Sequence, residues 1–161
     1  MTEISLGPNE RLVIESSGPD VLVAEVTYGP GGSPPPAHFH PAQDERFEIL
    51  EGELTVRMDG DTRVLQTGDV VEIPRGVSHQ FWNAGTAEAR ATWETRPPLR
   101  TEEWWTDVSA LGAAAGRPGL LKLAPLVREY RDVFRLGGPQ AVVTPAIAAL
   151  ALAGRIRGAI S

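Results

Sequence analysis

The chain holds only three histidines, His38, His40 and His79, and their spacing is that of a metal site. His38 and His40 are two residues apart, so on an extended strand both imidazoles point to one face and Phe39 to the other. Glu45 follows after the loop-like stretch Pro41-Ala-Gln-Asp44 and opens the strand pattern Arg46-Phe-Glu-Ile-Leu-Glu51, in which Phe47 and Ile49 share its side. His79 belongs to a separate strand pattern, with Phe81 and Asn83 on its face. Three imidazoles and a carboxylate suit a divalent first-row metal when no thiolate is present, and the chain has no cysteine. Four such ligands, His38, His40, Glu45 and His79, leave two positions of an octahedral ion open, and open positions distinguish a catalytic metal from a structural one. The expected cofactor is one divalent first-row transition metal per chain, with iron, manganese, nickel, copper and zinc all admissible. Ligands from three strands converge only on a strongly curved sheet, as in a small barrel.

The residues around the histidines complete two motifs. The first runs from Gly32 through His38, His40 and Glu45 to Gly52; the second from Gly68 through Pro74, Gly76 and His79 to Asn83. Together they resemble the two signature motifs of the cupin superfamily, and all ten positions are filled. At background usage such agreement arises by chance in far fewer than about one sequence in a million. The resemblance spans residues 11–98. It implies a double-stranded β-helix (jelly-roll) barrel, the four metal ligands and, since short barrels often pair through an outer sheet, a homodimer. It does not choose a reaction, because members include dioxygenases, isomerases, epimerases, decarboxylases, storage proteins and sensors. Gly52 and Gly68 read as turn residues with positive φ, Pro74-Arg-Gly76 as a tight turn, and Asn83 as a scaffold residue.

The elements that must position these residues can be read in outline. Up to residue 98 the chain shows about nine short strands divided by turn signals, mainly β in character. Arg11–Glu15 and Val21–Tyr28 are β-branched and apolar, Gly29–Pro36 is a stiff loop leading to His38, and Asp59-Gly-Asp61 marks a hairpin. From residue 101 the periodicity turns helical. One helix is expected from a capping Thr101 to about Ala115, a second from Leu120 to Phe134, and a third from the pair Thr144-Pro145 to Leu152 or beyond. The expected organisation is a barrel over 1–100 and a helical extension over 101–161. That extension could cover a barrel face, make a dimer contact or lie on a membrane surface.

Composition excludes several functions. The net charge is −6 without a basic cluster, which argues against nucleic acid as a partner. It divides into −8 for residues 1–100 and +2 for 101–161. The last apolar stretch is too short for a membrane span and is interrupted by Arg155 and Arg157. Met1-Thr-Glu-Ile-Ser-Leu6 lacks the blocks of a signal peptide, so a cytoplasmic location is expected. The one lysine, Lys122, lies in the helical extension, so the barrel has no lysine for Schiff-base or general-base work.

Phe47, Ile49 and Phe81 are the expected lining of a pocket for a small, partly aromatic or hydrophobic molecule. Trp93 and Glu94 are consecutive, so one of them faces inward; an inward Glu94 would be a candidate base. Two function classes fit. One is a metal-dependent enzyme, with dioxygenase-like oxidation placed ahead of isomerase or cyclase chemistry because the sequence offers no convincing acid or base. The other is a non-catalytic binding module for a metal or small molecule.

Overall fold

Alternating burial sets the central strands. Leu22, Ala24, Val26 and Tyr28 point inward between half-buried neighbours, as do Ala89, Ala91, Trp93 and Thr95. The computed structural model describes residues 3–158. Its strands are β1 (Glu3–Gly7), β2 (Glu10–Ser17), β3 (Leu22–Tyr28), β4 (His38–Phe39), β5 (Asp44–Glu51), β6 (Glu53–Met58), β7 (Asp61–Gln66), β8 (Val70–Ile73), β9 (His79–Trp82), β10 (Ala89–Arg96) and β11 (Arg135–Leu136). The helices are α1 (Thr101–Ala110), α2 (Leu120–Glu129) and α3 (Gln140–Gly158), with a short 3-10 turn at Ala113–Ala115.

Two antiparallel sheets, ordered β1-β2-β3-β10-β5-β8 and β11-β4-β9-β6-β7, pack into a jelly-roll sandwich. The apolar core lies between them, built on Leu12, Val26, Ile49, Leu54, Val56 and Val71. The expected hairpin is present: Asp59 and Gly60, with φ of 50° and 89°, join β6 to β7. Gly52 turns β5 into β6 at φ 77°, where a Cβ would lie 2.7 Å from the Glu88 carbonyl oxygen. Asn83 is a scaffold residue. Its amide donates to the carbonyls of Tyr28 (3.0 Å) and Ala87 (2.8 Å), and its side-chain oxygen accepts from Gly85 N–H (2.8 Å).

In the carboxy-terminal segment α2 starts at Leu120 and α3 runs beyond Leu152 as expected, while the other helix boundaries differ. Thr101 is the first residue of α1 rather than its cap, because its hydroxyl is committed to Gln43 Nε2 at 2.7 Å. The helix stops at Ala110, five residues early, where Gly112 turns the chain at φ 84°. α2 ends at Glu129, and the chain turns to lay β11 beside β4, pairing Arg135 with Phe39 and Leu136 with His38. α3 starts at Gln140, ahead of Thr144, because the Pro139 carbonyl accepts from Val142 and Val143 N–H (2.9 and 3.0 Å). β1, unanticipated, pairs with β2 and receives α1 on its other side; Ser5 N–H donates to Ser109 Oγ at 3.2 Å. Among the described residues no helix is long and apolar enough to cross a membrane.

Candidate metal centre

Register brings the histidines together. β4 and β9 pair His38 directly with His79, placing the ring centroids 4.4 Å apart. His40, just past the end of β4, lies 5.3 Å from His38 and 5.4 Å from His79 between ring centroids. One nitrogen from each ring falls within 4.8 Å of the other two, so the triad can hold a metal ion.

The backbone fixes which nitrogen faces inward. Nδ1 of His38 is 3.0 Å from the Pro36 carbonyl, that of His40 2.6 Å from Val133, and that of His79 3.0 Å from Val77. A carbonyl only accepts, so each Nδ1 carries the hydrogen and each neutral ring keeps its lone pair on Nε2. This is how ligating histidines are held by their outer hydrogen bonds.

Glu45 lies against these lone pairs. Oε1 is 3.2 Å from His40 Nε2 and Oε2 is 3.1 Å from His79 Nε2. Yet His40 Nε2 and Glu45 Oε2 are buried without a hydrogen-bond partner in acceptable geometry. Buried acceptors facing one another are costly unless a cation sits between them. The donor set therefore fits a divalent ion with nitrogen and oxygen ligands.

Electrostatics point the same way for His38 and His40, and the opposite way for His79 as long as Glu45 is its partner. Burial lowers the pKa of His38, reinforced by the neighbouring imidazoles, and burial likewise lowers His40, both changes favouring the neutral, ligating form. For His79 burial is outweighed by the Glu45 carboxylate, and the pKa is raised. Burial would raise Glu45, but positive charge on His40, His79 and His38 would pull it down to about 2; beside neutral rings, a bound cation would have to supply that charge. Trp93 Nε1–H donates to Glu45 Oε1 at 2.9 Å, orienting the carboxylate.

The triad forms one wall of a cavity of about 180 Å³. Phe47 and Phe81 line it, stacked on one another at 4.3 Å, with Trp93 against Phe47 at 5.1 Å. Ile49 points the same way but lies deeper, in the core, and is not part of the lining. Trp93 is the inward member of its pair. Glu94 faces outward, where Arg46 and Arg96 bind its carboxylate, so it is no base for the cavity.

Sequence reasoning missed the rest of the lining. Trp104, Trp105 and Val108 of α1 and Phe134 before β11 close the cavity, so the helical segment forms its lid. Phe134 stacks on His38 at 4.7 Å and on Trp104 at 4.7 Å. Glu10 of β2 and Tyr28 of β3 also reach the cavity. Periodicity marked the tail aromatics as apolar but gave no sign of which surface they meet, and a single strand-end glutamate looks like any solvated charge.

Residues 24–94 match the cupin domain family Cupin_2, and this part of the chain is a cupin domain. Over 77 residues the chain is 36% identical to oxalate oxidase 1 of Hordeum vulgare, an alignment covering 43% of this chain and 38% of that protein. It is 37% identical over 60 residues to polyketide synthase CurC of Streptomyces cyaneus, covering 37% and 39%. The chain thus spans about two fifths of the length of these relatives. Among solved structures, KdgF from Halomonas sp. superposes with a TM-score of 0.56 at 19% identity, over 63% of this chain and 93% of that one. An RmlC-like cupin from Shewanella frigidimarina gives 0.56 at 18% identity, over 63% and 87%. Both show the fold alone.

Proposed function

We propose that the protein is a metal-dependent enzyme that oxidises a small, largely apolar molecule. His38, His40, His79 and Glu45 would hold one divalent transition-metal ion. The observation that carries this reading is the convergence of three histidine Nε2 atoms on the wall of an aromatic cavity, with the buried Glu45 carboxylate 3.2 and 3.1 Å from two of them. A bound ion supplies Lewis-acid polarisation and, for a redox-active metal, electron transfer. The chain's own residues do the rest. Trp93 fixes the Glu45 carboxylate, Phe47 and Phe81 form an apolar wall for a planar ligand, and Trp104, Trp105 and Phe134 exclude water. At about 180 Å³ the cavity is smaller than the ~300–1,000 Å³ of drug-sized ligand sites, which suits a single ring or short chain. The likeness to proteins named oxalate oxidases supports oxidation, whereas the apolar walls disfavour a dianion as compact as oxalate.

A second reading, non-oxidative isomerisation or cyclisation, is favoured by one observation. The cavity is lined by a carboxyl, that of Glu10, a group able to serve as acid or base. Oxygen uptake separates the two. Iron(II)- or manganese(II)-loaded protein is mixed with catechol and the monohydroxybenzoates in an oxygen electrode. Metal-dependent uptake with any of these probes supports oxidation; binding of the probes without uptake contradicts it.

A further inference from the structure

Glu10 and Tyr28 are directly paired residues of β2 and β3, so their side chains stand side by side on the inner face. The Tyr28 ring leans on Phe81 at 5.8 Å, and Phe81 lies two residues beyond His79 on β9. A line of contact therefore runs from Glu10 to the metal ligands along the cavity wall. Arg117, from the segment before α2, completes the group. Its guanidinium is pinned to the carbonyls of Ser33 (2.5 Å) and Pro34 (2.8 Å).

These residues also sit between two spaces. Glu10, Tyr28, Phe81 and Arg117 line the metal cavity, and the same four line a second cavity of about 190 Å³ beside the turn at Gly7–Asn9. The second cavity contains no histidine and adjoins Asn83 and Trp82. Glu10 is thus a carboxyl with one side toward the metal cavity and the other toward a separate opening.

We propose that Glu10 is the acid–base residue of the metal cavity, acting on a hydroxyl or enol group of a small ring-sized ligand whose other end is held at the histidine triad. The proposal rests on the metal-site reading above. In the step it performs, the ligand O–H bond breaks, the proton goes to a Glu10 carboxylate oxygen, and the electron pair stays on the ligand oxygen facing the Arg117 guanidinium. The proton then leaves through the second cavity, and the reverse path returns it. Tyr28 positions the carboxyl from the paired strand. The titration of Glu10 suits the task. Burial raises its pKa, Arg117 and Tyr28 pull it back, Glu45 adds a small rise, and the result is about 7, so both forms are populated near neutral pH.

The test uses the full chain loaded with zinc(II), which is redox-inert, and three probes: benzoate, 3-hydroxybenzoate and 4-hydroxybenzoate. Calorimetric affinities are measured from pH 6 to 8.5, with zinc content determined in parallel. In the wild type at least one hydroxybenzoate should bind about tenfold more tightly than benzoate at pH 8, the advantage expected of a hydrogen bond to a carboxylate. That advantage should vanish in Glu10→Ala with one zinc per chain retained. In Glu10→Gln, which keeps the side-chain shape, the advantage should lose its pH dependence. An equal advantage in Glu10→Ala, an unchanged pH profile in Glu10→Gln, or wild-type binding of benzoate with no hydroxyl advantage would overturn the role of Glu10 and leave the metal site standing. Loss of zinc binding or of benzoate binding in the wild type would instead overturn the metal-site reading, and this proposal with it.

Discussion

His40 Nδ1 lies 2.6 Å from the carbonyl oxygen of Val133, a residue 93 positions further along the chain. The bond sets the tautomer of a triad histidine from the carboxy-terminal segment, and the next residue, Phe134, stacks on His38. The helical segment therefore shapes the histidine triad as well as covering it. Phe134→Ala should keep the β fold by circular dichroism and weaken zinc binding about tenfold in a chelator competition, the scale typical of lost outer support. Unchanged zinc affinity would show that the segment is only a cover.

Trp93 makes a separable prediction, because its ring and its N–H do different work. Trp93→Phe keeps an aromatic ring against Phe47 and removes the donor to Glu45 Oε1. Losing a hydrogen bond to a buried charge should lower unfolding free energy by about 1.5–3 kcal/mol in urea. Added zinc should restore part of that loss, since the ion offers Glu45 another partner. A variant as stable as the wild type without metal would mean that the indole N–H does not orient the carboxylate.

Glu10 should make stability depend on pH in a defined direction. Its pKa rises from an ordinary 4.5 to about 7 on folding, through burial first, opposed by Arg117 and Tyr28 and aided by Glu45. The contribution of the protonated carboxyl is therefore complete below about 4.5 and is lost as pH rises through about 7. Glu10→Gln, which cannot ionise, should gain on the wild type between those values and hold the gain above them. The gain is at most about 3 kcal/mol. Urea unfolding of both proteins at pH 4.5 and pH 8 measures it; a difference that does not change with pH would contradict the assignment.

Asn83 should matter for folding and not for metal. Asn83→Ala leaves the buried carbonyls of Tyr28 and Ala87 without their donor, which should cost about 2–4 kcal/mol in urea unfolding. Zinc per folded molecule, measured on the soluble protein, should stay at one. A folded variant that has lost its zinc would place Asn83 in the site rather than in the scaffold.

What the sequence made legible follows from how local each signal is. His38 and His40 are aligned by strand parity, Glu45 follows from its place in the first motif after the loop, and His79 follows from the second motif. Parity also put Phe47 and Phe81 in the cavity, but it could not measure depth, so Ile49, on the same face as Phe47, went into the core. Contacts that depend on how the chain returns were invisible. Phe134 reaches His38 only because the expected second helix ends at Glu129 and the chain turns into β11. Glu10 faces the cavity because β2 pairs with β3 in a register that sets it opposite Tyr28, and neither residue's neighbours reveal that pairing. Thr101 looked like a helix cap by type, and a long-range bond from Gln43 claimed its hydroxyl instead.

Metal content tests most directly whether the three histidines hold an ion. Wild type and the His38→Ala/His40→Ala double variant, purified without chelators or an affinity tag, are analysed for iron, manganese, nickel, copper and zinc, with circular dichroism confirming that both are folded. About one ion per wild-type chain and none in the double variant is the expected result. Equal metal in both proteins, or none in the wild type even after reconstitution with each ion, would contradict it.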